Sequence, residues 1–292
     1  RSWGIKVEGK EHFTLLGEYS PEYIELQLKG AAPPASFGLE KEIPARPPLL
    51  CAGCPHRGVF HTLRRMRLKV AGDIGCYTLG ALSPLEGMDT CICMGASIGT
   101  AMGLEKARGE EFAAKTVAVI GDSTFVHSGI TPLIDVVYNQ GTSTVLILDN
   151  DTTAMTGHQD HPGTGFTVKG EPTHSVNIAE VARALGVKHV YEVDPYDIAQ
   201  TDSVIKECIE LTEPSVVVVK RACALKVRDA GFALSNIRQD ICKKCGSCLK
   251  IGCPAIIKKG DVFMIDRSMC YGCGICRQVC PFGAIEALDE AE

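Results

Sequence analysis

Four short runs of β-branched and aliphatic residues mark the middle of the chain, at Lys115 to Ile120, Ser143 to Leu148, Lys188 to Val193 and Ser215 to Lys220. Between and beside them, apolar positions recur with helical spacing near 95–108, 128–140, 177–185 and 196–212. Strand and helix alternating at this interval predict an α/β fold with a doubly wound parallel sheet. The longest unbroken apolar runs, such as Val145 to Leu148 and Val216 to Val219, fall far short of the roughly 18 residues that cross a bilayer, so no membrane span is expected.

Composition narrows the class. With 292 residues, 45% of them hydrophobic, the chain can form two compact domains or one large one and is not disordered. A net charge of −5 argues against nucleic acid or anionic membranes as partners. The start, Arg1 to Lys6, has no signal-peptide pattern, so a cytoplasmic protein is expected. In a reducing compartment its 15 cysteines read as metal ligands before disulfides.

The cysteines are unevenly placed, eight of them between Cys242 and Cys280 and seven upstream. Residues 31–48 hold five of the 15 prolines and read as a linker behind one short helix, Pro21 to Leu28. The expected organisation is therefore 1–48, a tail of a preceding domain plus linker; 49–228, the α/β domain; and 229–292, a small α+β cysteine-rich domain.

Two runs in that last segment are spaced for cuboidal clusters: Cys242-x2-Cys245-x2-Cys248-x4-Cys253-Pro254 and Cys270-x2-Cys273-x2-Cys276-x3-Cys280-Pro281. In a bacterial ferredoxin run, three close thiolates wrap one [4Fe–4S] cube and the fourth, before proline, ligates the other. The expected ligand sets are thus Cys242, Cys245, Cys248 and Cys280, and Cys270, Cys273, Cys276 and Cys253. Zinc knuckles also use Cys-x2-Cys pairs, but lack the third nearby cysteine and the terminal Cys-Pro. The first run has one residue more than the standard before its last cysteine, which removes no ligand.

In the α/β domain, one strand runs into Gly121-Asp122-Ser123 and the next ends in Asp149-Asn150. Adjacent parallel strands bring such ends side by side, where open α/β sheets bind ligands. Gly121 permits a close backbone approach, and Asp122, the Asn150 side chain and the Thr152 carbonyl offer the protein half of an octahedral Mg²⁺ shell.

This pairing resembles the thiamine diphosphate fingerprint, Gly-Asp-Gly followed by Asn-Asn, with Ser123 and Asp149 as the two departures. The stretches Cys51-Ala-Gly-Cys54-Pro-His56-Arg57, Gly72-Asp-Ile-Gly-Cys76-Tyr-Thr-Leu-Gly80, Cys93-Met-Gly-Ala-Ser-Ile-Gly99, Gly121 to Ile130 and Leu148 to Gln159 extend the likeness. The chain resembles the 2-oxoacid:ferredoxin oxidoreductases, above all the large subunits of their indolepyruvate branch, which also end in a ferredoxin domain. The resemblance implies a thiamine diphosphate-binding fold, with Met94, Gly95, Gly121, Asp122, Ser123, Asn150, Thr152, Ala154 and Met155 at the cofactor. It puts His56, His127 and His158 near substrate carboxylate or diphosphate. It also aligns Cys51, Cys54, Cys76 and Cys223, expected at strand ends along one sheet edge, with the ligands of a third [4Fe–4S] cluster beside the cofactor. Cys208 is expected to be a packing residue, and Cys91 and Cys93 are left unassigned, with packing the favoured reading.

The implied activity is oxidative decarboxylation of indolepyruvate and other arylpyruvates, with the acyl group passed to coenzyme A and electrons leaving singly for external ferredoxin. The alternatives are another 2-oxo acid such as pyruvate, or an electron-transfer subunit without catalysis. The family's pyrimidine-binding domain, whose glutamate activates the cofactor, has no counterpart in this sequence. The expectation is a split subunit or fragment, inactive alone, that works with pyrimidine-domain and small subunits of one complex.

Overall fold

The computed structural model describes residues 3–8, 10–30, 42–227 and 231–288. It divides into two compact units, Arg1–Pro47 and Pro48–Glu292. The linker expected over 31–48 lies, for 31–41, outside the described residues, as do residues 228–230 at the expected domain boundary.

In the first unit, helix α1 (Pro21–Lys29) forms where the sequence predicted it. The Ser20 hydroxyl accepts the Tyr23 N–H at 3.2 Å, proline occupies the first turn, and left-handed Gly30 closes the end by donating to the Leu26 carbonyl. The rings of Phe13, Tyr19 and Tyr23 cluster within 6.3 Å of one another.

The second unit is built on six parallel strands: β1 (Lys69–Gly72), β2 (Thr90–Cys91), β3 (Thr116–Gly121), β4 (Thr144–Asp149), β5 (His189–Val193) and β6 (Ser215–Lys220), in the order β2-β1-β3-β4-β6-β5. The residues of β3 and β4 are all buried, which explains their uninterrupted apolar sequences, since a parallel sheet is covered on both faces. Side chains alternate between two cores. Val117, Val119, Leu146, Leu148, Val217 and Val219 face helices α2 (His56–Met66) and, beyond it in the chain, the segment Ile198–Ile209. Ala118, Ile120, Val145, Ile147, Val216 and Val218 face α3 (Ala96–Arg108) and the helices Ile130–Tyr138 and Ile178–Ala184. Each fully buried aliphatic side chain in these cores stabilises the fold by about 1.5–3 kcal/mol.

From β1 the chain moves outward to β2 on one side and then returns to place β3 on the other, so the winding reverses between β1 and β3. Such a reversal opens a crevice beyond the carboxyl ends of the strands. The segments entering that crevice follow β1, β3 and β4.

The cysteine-rich segment contributes two small antiparallel sheets, β7 (Ser235–Ile237) with β10 (Ile285–Ala287) and the hairpin β8 (Ile256–Lys259) with β9 (Val262–Ile265). Ile237, Ile251, Ile256, Phe263, Ile275 and Ile285 form its core together with Tyr196 and Ile198 of the α/β layer. Gln278 pins this junction, its amide donating to the Tyr196 carbonyl at 2.6 Å and accepting from the Ile198 N–H at 3.0 Å.

Candidate functional site

The crevice at the strand ends is a cavity of about 550 Å³, partly open to solvent. Its walls come from Ile74–Tyr77 after β1, Gly121–Thr124 after β3 and the strap Asn150–Thr156 after β4, with His56 and Met94. The strap folds back because Thr153 and Gln159 form a β-bridge and the Thr153 hydroxyl donates to Ser123 Oγ at 2.9 Å.

Asp122 is the polar centre. Buried, it accepts the Ser123 N–H on Oδ1 at 2.8 Å, and on Oδ2 the Asn150 N–H and His161 Nε2, each at 3.1 Å. The Gly163 N–H donates to His161 Nδ1 at 3.2 Å, which leaves the ring proton on Nε2, directed at Asp122. Asn150 and Thr152 are also buried here. One carboxylate among neutral oxygens is the donor set a hydrated Mg²⁺ takes. Burial, and then repulsion from Asp122, raises the Asp149 carboxyl well above the usual carboxylate range, up to about 6, against the pull of Lys220.

His56 meets Asn150 Nδ2 at 3.5 Å and stands edge-on to Tyr77. Burial pushes its imidazole down to about 4, Asp122 opposing, so it is neutral at physiological pH. Gly121 is constrained from within the protein as well. A Cβ there meets the Tyr77 ring at 2.7 Å, so the close approach is made by a side chain of the same protein.

Not every expected residue reaches this cavity. Gly95 lies outside its lining and gives its N–H to both oxygens of Asp73 at 2.9 Å, with Ser97 N–H as a further donor, so that Asp73 caps α3 from a distance. Asp73 and His161 were not singled out by the sequence. His127 is exposed and pairs with Ser128. His158, with φ 63, reaches Cys223 Sγ at 3.8 Å and lines the neighbouring cavity instead. Met94 and Met155 stand half-exposed at the mouth, and Ala154 forms part of the wall.

That neighbouring cavity, about 470 Å³, gathers Cys51, Cys54, Cys76 and Cys223, and shares His56, Cys76, Asn150 and Ala154 with the first. Cys51 and Cys54 sit in the turn before α2 rather than at a strand end, which corrects that expectation. Burial pushes the Cys54 thiol up to about 12, with Cys51 and Cys76 adding to it, and burial also raises Cys76. Thiols this desolvated ionise only onto a cation.

Two further cavities divide the C-terminal cysteines as the crossed ligand pattern requires. One is lined by Cys242, Cys245, Cys248 and Cys280, and one by Cys253, Cys270, Cys273 and Cys276. Burial pushes Cys248 and Cys273 up to about 11, each reinforced by the other three cysteines of its own cavity. The first run is longer by one residue and turns at left-handed Gly252, and Cys253 lines the cavity of the second run's first three cysteines. Among the described residues no three His, Cys, Asp or Glu side chains close on a single ion. Cys208 is buried as expected, whereas Cys91 and Cys93 are exposed and not packing residues.

Residues 73–219 match the family described as thiamine pyrophosphate enzyme, C-terminal TPP binding domain, and residues 263–286 match the 4Fe-4S binding domain. Indolepyruvate oxidoreductase subunit IorA of Pyrococcus horikoshii is 44% identical over 277 residues, covering 87% of this chain and 42% of that protein. The subunit of the same name from Methanothermobacter thermautotrophicus is 39% identical over 300 residues, covering 97% of this chain and 47% of its own length. The chain thus spans less than half the length of these relatives. Among solved structures, 2-oxoglutarate:ferredoxin oxidoreductase from Magnetococcus marinus shares the fold, with a TM-score of 0.52 at 18% identity over 63% of this chain and 66% of that one. Among the described residues no helix is long and apolar enough to cross a membrane.

Proposed function

The chain belongs to the thiamine pyrophosphate enzymes through their C-terminal TPP-binding domain, and from that premise we propose that it is the cofactor- and cluster-bearing part of a 2-oxoacid:ferredoxin oxidoreductase. Its reaction is the oxidative decarboxylation of indolepyruvate and other arylpyruvates to aryl-acetyl-CoA and CO2, in the cytoplasm, with ferredoxin as electron acceptor. The observation that carries this reading is the chain of cavities. The strand-end cavity shares a wall with the Cys51 cavity, and Gly53 of the Cys51 turn lines the Cys253 cavity. The aryl preference rests on the indolepyruvate for which the relatives are named.

When bound, thiamine diphosphate supplies the nucleophilic carbon and electron sink for decarboxylation, and the clusters supply one-electron carriers. The protein's own part begins with Asp122, Asn150 and the Thr152 carbonyl, which hold Mg²⁺ and through it the diphosphate. His161 fixes the Asp122 carboxylate, and neutral His56 holds the Asn150 amide without adding positive charge. Ser123, Ala154, Met94 and Met155 shape the walls, and Gly95 acts indirectly by setting the start of α3 through Asp73. Cys51, Cys54, Cys76 and Cys223 hold the cluster nearest the cofactor. The two C-terminal quartets hold the clusters beyond it. The aminopyrimidine half of the site, with its glutamate, comes from a domain in this or another polypeptide, and a small subunit completes the complex.

The test is viologen reduction with coenzyme A, the cluster-loaded chain being mixed with a protein that supplies the pyrimidine domain. Indole-3-pyruvate, 4-hydroxyphenylpyruvate and phenylpyruvate are expected to be oxidised ahead of pyruvate. Preference for pyruvate overturns the aryl specificity, and no substrate-dependent reduction by any of them overturns the catalytic reading in favour of an electron-transfer subunit.

A further inference from the structure

Arg57 is a buried cation without a visible counter-charge. It is 1% exposed, and no ion pair among the described residues involves it. Its hydrogen-bond partners are three backbone carbonyls: Nη1 donates to Ile251 at 2.7 Å, and Nη2 to Leu50 at 2.5 Å and Cys51 at 2.9 Å. The Nε–H is buried with no partner among the described residues. Two physical penalties coincide here. Removing an ion from water is unfavourable unless a charge of opposite sign replaces the solvent. Arg57 also sits in the first turn of α2, where the helix dipole favours anions over cations.

The position explains what offsets both. Leu50 and Cys51, whose carbonyls Arg57 holds, belong to the wall of the Cys51, Cys54, Cys76 and Cys223 cavity. Arg57 itself lines the cavity of Cys253, Cys270, Cys273 and Cys276, two residues along from the Ile251 carbonyl it also holds. A cluster with four thiolates is an anion, and reduction adds one more negative charge. We propose that Arg57 is the shared counter-charge of the two clusters on either side of it, and that it raises the reduction potential of both. This rests on the assignment of clusters to these two cavities. Reduction potentials of such clusters follow net charge, hydrogen bonding to sulfur and exposure, and Arg57 supplies a fixed positive charge toward the first of these.

Arg57→Met keeps the length of the side chain and removes the charge, while Arg57→Lys keeps the charge and loses the planar fork. Both are purified anaerobically with wild type, assayed for iron and sulfide, and titrated electrochemically with EPR detection. In Arg57→Met the reduction equilibria of the two flanking clusters are expected to shift at least tenfold toward the oxidised form, about 59 mV for a one-electron couple. The outer cluster on Cys242, Cys245, Cys248 and Cys280 should stay put. Arg57→Lys should hold both flanking potentials within threefold of wild type, which keeps the test decisive if Arg57→Met fails to load. Unshifted flanking potentials in a loaded Arg57→Met chain, or a tenfold shift in Arg57→Lys, overturn the proposal. A wild-type chain lacking the flanking cluster signals overturns the cluster assignment itself, a result read from iron content before any variant is compared.

Discussion

Asp122→Asn is the sharpest perturbation of the cofactor site, because one side chain serves both the fold and the metal. Its carboxylate accepts three N–H groups, one on Oδ1 and two on Oδ2. An asparagine does best with its carbonyl in the Oδ2 position, which leaves its amide facing the Ser123 N–H. That buried mismatch costs about 1–3 kcal/mol, and each of the two surviving bonds loses the charge assistance that separates ionic from neutral hydrogen bonds, about 1 kcal/mol apiece. Relief of the repulsion that Asp122 exerts on Asp149 returns part of this. A net loss of about 2–3 kcal/mol is expected, or roughly 4–12 °C in the thermal midpoint of a domain this large. At a temperature where circular dichroism shows both proteins folded, calorimetric titration with thiamine diphosphate in Mg²⁺ should show affinity weakened at least 100-fold, about 2.7 kcal/mol. Binding within threefold of wild type would refute the metal site, and an unchanged midpoint would refute the hydrogen-bond accounting.

Two further outcomes follow from other groups. Iron analysis of the anaerobically prepared chain should give about twelve atoms, falling to about eight in Cys51→Ala, as expected for three [4Fe–4S] clusters of which one loses a ligand; equal iron in the two would remove the third cluster. Asp149 is raised in the folded state from 3.8 to about 6, so its contribution to stability is complete below pH 4 and is lost as pH rises through 6. The loss amounts to about 3 kcal/mol in all. Asp149→Asn escapes it and forgoes only a half-exposed ion pair with Lys220 worth about 0–1 kcal/mol. In denaturant titrations without Mg²⁺ or thiamine diphosphate, the variant's advantage should widen by about 1.4 kcal/mol between pH 5 and pH 7.5, and a gap independent of pH would show that Asp149 is ionised throughout.

Much of the architecture was readable in the amino-acid order because the signals were local. β3, β4 and β6 stood out by their central apolar runs, Val117 to Ile120, Val145 to Leu148 and Val216 to Val219, since these positions are buried on both faces of the sheet. The C-terminal cysteine quartets were readable because each run carries three ligands within seven residues, and the pattern by itself implies which fourth thiol crosses over. Asp122 and Asn150 were readable as paired strand ends. By contrast, β1 has four residues and β2 two, too few to express a period, so neither was anticipated.

What tertiary structure alone decided is everything that depends on segments distant in sequence meeting. His161 becomes the partner of Asp122 only because the strap after β4 folds back across the end of β3. Gly121 is constrained by Tyr77, from the turn after another strand. His127 and His158 lay inside matching stretches, yet backbone direction sends one to the surface and the other toward Cys223. Arg57 entered the sequence analysis only as the end of the Cys51 to Arg57 stretch, whereas packing removes it from water beside the Cys253 cavity. Local composition determines which elements form, because that depends on neighbours along the chain. The electrostatic character of a buried group depends on what replaces its solvent, and only the folded arrangement specifies that.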